Sequence, residues 1–149
     1  MKKVSLVCII ISLFVLSGCS GDNKSDIQKS NKTTSIEIEM DENYDDADPF
    51  VNERIFCVSE DLAILKAEVS LEMEGESGTL EVKNNATNEI LWSDTWNGNI
   101  KSDIFSVSFE DLDKNSEYSI CFTGTKIDNA YIKFVFQSST VQELEKPSR

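Results

Sequence analysis

Between Leu65 and Glu74 the chain alternates without a break. Leu65, Ala67, Val69, Leu71 and Met73 are apolar, and Lys66, Glu68, Ser70, Glu72 and Glu74 between them are polar. Successive side chains of an extended strand point to opposite faces, so only a strand gathers all five apolar groups on one side. A helix would scatter the same residues around its circumference. This run is therefore a half-buried strand. One apolar face is stable only when a second layer covers it.

Similar runs recur along the chain. Ile36, Ile38 and Met40 alternate with Glu37, Glu39 and Asp41, and further strand-like stretches are 53–59, 78–83, 89–96, 104–110, 117–123 and 130–137. Residues with turn chemistry separate them: Gly75-Glu76-Ser77-Gly78, Asn84-Asn85-Ala86-Thr87-Asn88, and Asn97-Gly98, a pair that favours left-handed turns. Residues 111–116 and 126–129 close the remaining gaps. About eight short antiparallel strands, each with one apolar face, predict an all-β fold. We read it as a single antiparallel β-sandwich of jelly-roll type.

The first nineteen residues carry a different pattern. Lys2 and Lys3 precede an apolar run, Val4–Leu16, which is shorter than the roughly 20 residues a permanent membrane helix needs. It has the charged start and apolar core of an export signal. The run ends in Leu16-Ser17-Gly18-Cys19, which resembles the lipobox of bacterial lipoproteins. The resemblance implies cleavage between Gly18 and Cys19 and a diacylglyceryl group on the Cys19 thiol. Two acyl chains give stable attachment where one gives only marginal binding. The expected location is the cell membrane, lipid-anchored and facing outside the cytoplasm. Residues 20–34 are rich in Ser, Asn, Lys, Asp and Thr and cannot bury enough surface to offset ordering. The expected organisation is a signal peptide at 1–18, the lipidated Cys19 with a flexible linker at 19–34, a sandwich at 35–140 and a disordered tail at 141–149.

Within the domain, Tyr118-Ser119-Ile120-Cys121-Phe122, with Phe56-Cys57 earlier and Ala130–Phe136 at the end, resembles the GOLD domain. That family is a jelly-roll sandwich with an early Cys and a late Tyr-x-x-Cys-Phe strand. Thr123 stands where the family usually has Asn, so the resemblance supports the sandwich without carrying over a cargo role.

Charge narrows the choice of partners. The formal net charge is −13, and removing residues 1–18 takes away two lysines and no acid, leaving about −15. Such a chain repels the phosphates of nucleic acids, so no nucleic-acid partner is expected. It holds no histidine, which removes the usual hydrolase triads and imidazole metal sites. No phosphate-binding Gly loop and no Cys-x-x-Cys occurs. We expect no enzyme activity, no catalytic residues, no cofactor and no dedicated metal. Residues 37–53 carry eight acids and no base. Asp41, Asn43 and Asp45 begin a calcium-loop spacing, but Asp46 replaces its Gly and Asn52 its bidentate Glu. The segment reads as a solvated acidic loop, with a weak calcium site as the alternative.

Two cysteines remain in the exported domain. Cys57 and Cys121 could form a disulfide closing a loop of about 65 residues, worth roughly 3–4 kcal/mol. Two small buried thiols are the alternative. Cys121 shares a face with Ser119 and Thr123, which restricts a bridge to neighbouring strands on the outer face. Trp92 and Trp96 are the chain's two tryptophans and share one strand face with Asp94 between them. Their rings would stand about 13 Å apart on a straight strand. Trp92 reads as core. Trp96, just before Asn97-Gly98, reads as a rim residue able to contact a ligand such as a sugar. The sequence thus describes a lipid-anchored binding or interaction module, its partner an envelope protein or carbohydrate. The alternative is a structural envelope lipoprotein with no specific small ligand.

Overall fold

The computed structural model describes residues 33–41 and 53–145. The signal peptide, Gly18, Cys19, most of the linker, residues 42–52 of the acidic loop and the last four residues lie outside the described residues. Among those described the chain forms seven strands and no helix: β1 (Thr34–Met40), β2 (Glu53–Val58), β3 (Leu62–Asn84), β4 (Ile90–Asn97), β5 (Ile100–Leu112), β6 (Glu117–Phe136) and β7 (Val141–Leu144). All strand pairs are antiparallel. The expected all-β antiparallel sandwich is what the sequence builds.

Its layers are two halves of one bent sheet. β3 and β6 run side by side along most of their lengths, from Ala67↔Phe136 to Asn84↔Tyr118. On the other side of β3, β5 covers its first half and β4 its second. Beyond β6 lie β1 beside its second half and β2 beside its first, with β7 outside β2. The first layer is thus β4, late β3, early β6, β2 and β7. The second is β5, early β3, late β6 and β1.

The crease between them crosses β3 and β6 near their glycines. Residues 75–78 and 126–129 were expected to be turns between separate strands. Instead each lies inside one continuous strand, and where Glu74↔Asn129 gives way to Gly75↔Ile127 the pairing skips Asp128 of β6. Such a bulge bends and twists a strand without reversing it. It also changes the parity of the inward side chains of β3, from Met73 to Leu80. Asn97–Asn99 is likewise a corner, because β4 and β5 continue in the same direction along β3. Gly98 supplies its left-handed φ of +77°. Only residues 84–90 make the expected hairpin. There Asn84 Oδ1 accepts the N–H groups of Ala86 and Thr87 at 2.9 and 3.3 Å.

The core lies between the layers. Phe56 of the first layer packs on Phe136 of the second, with ring centroids 5.2 Å apart, and also on Tyr118 at 5.4 Å. Leu71, Leu80, Phe122, Ile132 and Phe134 are fully buried around them. Burying one such side chain contributes roughly 1.5–3 kcal/mol, which makes this face-to-face contact the main source of stability. Buried Tyr118 still needs a partner for its hydroxyl, and accepts the Asp113 N–H at 2.8 Å.

The expected disordered tail is corrected in part. Val141–Leu144 is a strand, paired with β2 from Val58↔Val141 to Ile55↔Leu144, and Val141 is buried. Four residues are too few for periodicity to reveal a strand, and its stability comes from the neighbour it pairs with.

Candidate functional site

The two long sides of the sandwich are closed in different ways. At the β1–β7 side, backbone carbonyls take part in the closure. Arg54 of β2 donates its Nε–H to the Glu37 carbonyl of β1 at 3.0 Å and pairs with Glu143 of β7 at 3.6 Å. Thr34 of β1 donates its hydroxyl to the Val141 carbonyl at 3.1 Å. These contacts tie the second layer to the first.

The opposite side is closed by aromatic rings. On β4, Trp92 pairs with Val82, Asp94 with Leu80 and Trp96 with Gly78, so all three point to the inner face. From β5, Phe105 opposite Val69 points to the same space. The Phe105 ring lies 5.7 Å from Trp92 and 5.6 Å from Trp96, and the two indoles are 6.4 Å apart. All three rings are half-buried against the core. Trp96 donates its indole N–H to Asp103 of β5 at 3.2 Å, the polar link across this side. Asp94 is exposed, and its Oδ1 accepts the N–H of Thr95 at 2.8 Å.

This geometry changes the expectation for the tryptophans. The rings lean together and onto Phe105, so they do not stand about 13 Å apart as a flat platform. Trp92, expected as core, is half-buried like Trp96, and both are packing residues. Sequence reasoning identified Trp92, Asp94 and Trp96 as sharing a face. It missed Phe105 and Asp103, whose own alternation was visible but whose place opposite β4 depends on the crease.

A polar cleft of about 550 Å³ opens at one end of the sandwich, between the β3–β4 hairpin and the end of β5. Asn84, Glu89, Glu110, Asp111 and Asp113 line it, with Tyr118. Among the described residues no group of three or more acidic or cysteine side chains is placed to hold a metal ion.

A family described as a domain of unknown function (DUF4624) matches residues 17–148. The chain belongs to that family. No curated protein matches the sequence.

In this DUF4624 domain the expected disulfide is absent, and both thiols are free. β2 and β6 are neighbours, and both cysteines lie on the outer face, as a bridge would require. The register prevents it: Cys57 stands opposite Glu117, and Cys121 opposite Glu53. Four residues of offset is roughly 13 Å along a strand. A disulfide needs Cα atoms within about 7 Å. Burial pushes the Cys121 thiol above its ordinary value, which keeps it protonated and slow to react. Cys19, Gly18 and the acids between Glu42 and Asp48 lie outside the described residues of the DUF4624 domain.

Proposed function

We propose that this chain is an extracytoplasmic lipoprotein, anchored through lipid on Cys19, whose sandwich serves as a binding or interaction module. The observation that carries the anchor is Leu16-Ser17-Gly18-Cys19 behind a dibasic start and a short apolar run. The family match begins at residue 17 and takes in Cys19, which supports treating the box as part of the family's shared region. The module reading is supported by the unequal sides of the sandwich. A purely structural spacer needs no half-exposed Trp92, Trp96 and Phe105, nor the exposed Ile90 and Ile104 on the same two strands, whereas interaction sites are enriched in such rings.

The test is metabolic labelling with a fatty acid. The full chain should incorporate label and mature, and Cys19→Ala should accumulate as an unlabelled precursor. A Cys19→Ala protein that is still labelled and processed overturns the anchor.

A further inference from the structure

We propose that the outer edge of β4 is a docking site for an extended segment of a partner protein carrying a lysine or arginine, and that Asp94 selects it. The proposal deepens the interaction-module reading and rests on it.

Among the described residues β4 ends its layer and pairs only with β3. A strand end of this kind offers unpaired backbone groups that an incoming strand can bond. The opposite side of the sandwich differs. There β7 has only four residues, and Arg54 and Thr34 donate to the Glu37 and Val141 carbonyls. β4 has eight residues, no proline and no lysine, and Ser93, Asp94 and Thr95 at its centre are exposed. It is neither short nor broken by proline or lysine, and the features that do blunt it are the bulge at Leu91, where the pairing passes from Trp92 to Ile90, and the inward carboxylate of Asp94.

The inner face gives the edge its specificity. A strand added beside β4 would lie about 4.8 Å further out. Its inward side chains would then cover the exposed parts of Trp92 and Trp96, with Asp94 between them. No ion pair among the described residues involves Asp94. Its carboxylate instead takes the Thr95 N–H. A cation arriving at this position meets a carboxylate flanked by two indoles, and both kinds of group attract it. By drawing the carboxylate away it also frees the Thr95 N–H for strand pairing. A second copy of the chain, pairing antiparallel about the middle of β4, would bring its own Asp94 against this one, and like charges opposed across strands destabilise the pair. Charge complementarity therefore selects a basic strand over self-association.

The two tryptophans lie in this site and are the only ones in the chain, so their emission reports on it alone. The full chain in neutral detergent is titrated with a blocked seven-residue peptide of alternating threonine and valine with one central lysine. A second peptide carries glutamate there. The expected result is a saturable emission change with the lysine peptide, affinity about tenfold weaker for the glutamate peptide, and slowed amide exchange in β4. Asp94→Asn should bring the two peptides to equal affinity, and Asp94→Glu should keep the preference. No saturable change with the lysine peptide overturns the proposal. So does equal binding of both peptides by the unaltered chain, or a preference that survives Asp94→Asn. A chain that sediments as a dimer with its β4 amides already protected also overturns it, because the occupant is then a second copy. None of these results bears on lipidation of Cys19, so failure here is distinguishable from failure of the anchor.

Discussion

Gly78 of β3 and Gly124 of β6 are direct cross-strand partners at the crease, and both are buried. A Cβ at Gly78 would come within 2.6 Å of the Phe122 ring and 2.7 Å of the Met73 sulfur, and one at Gly124 within 2.6 Å of Ile127 Cδ1. The absent side chains leave room for the neighbouring side chains where the sheet bends back on itself. Gly78→Ala and Gly124→Ala should each destabilise the domain by about 1–3 kcal/mol, the usual cost of overpacking. Urea unfolding should show a lower midpoint with an unchanged slope.

The aromatic closure predicts coupling between the tryptophans. Each indole touches the other and Phe105, so removing either loosens the remaining one. Trp92→Ala and Trp96→Ala should each cost about 1–3 kcal/mol, below the roughly 3–5 of a fully buried ring because both are half-exposed. A double-mutant cycle should give a coupling energy of about 0.5–1.5 kcal/mol. Additive losses would show that the rings do not act as one cluster.

Arg54 should matter more as a hydrogen-bond donor than as a charge. Its Nε–H reaches the Glu37 carbonyl while its terminal nitrogen faces Glu143, and a lysine cannot make both contacts. Arg54→Lys and Arg54→Ala should both lose about 1 kcal/mol. Amide exchange should rise in β1 and β7 before it rises in β3.

Thiol chemistry tests the register of β2 against β6. Unfolded, non-reduced protein should titrate both Cys57 and Cys121 as free thiols. In the folded protein, burial raises the Cys121 pKa, so its thiolate appears only at more alkaline pH than in the unfolded chain. The stability linked to this group is complete below the ordinary thiol pKa and is lost as pH rises through the raised value. Alkylation of Cys121 should accordingly be slow near neutrality and accelerate steeply on the alkaline side. Cys121→Ser should remove that part of the alkaline loss of stability.

Alternation was legible wherever a strand had one buried and one wetted face. Leu65–Met73 and Ile36–Met40 were readable because a period of two has no other cheap explanation. The Asn84–Glu89 hairpin was readable because Asn84 can cap its own turn. By contrast, Gly75 and Gly78 read as a chain reversal, because glycine signals conformational freedom without saying how it is used. Here it is used for close approach inside strands that continue.

The sequence by itself determined that the described residues are all-β and which face of most strands is buried, and its Leu16-Ser17-Gly18-Cys19 resembles a lipobox. These are local properties, set by side-chain order and polarity within a few residues. Tertiary structure alone decided that β3 and β6 pass through both layers and that Val141–Leu144 pairs with β2. It also decided that Cys57 and Cys121 are four residues out of register, and that Trp92, Trp96 and Phe105 meet. Each depends on which strand lies beside which, and at what offset. That choice is made by the summed burial of Phe56, Phe122, Phe134, Phe136 and their neighbours across the crease, a sum that no single segment contains.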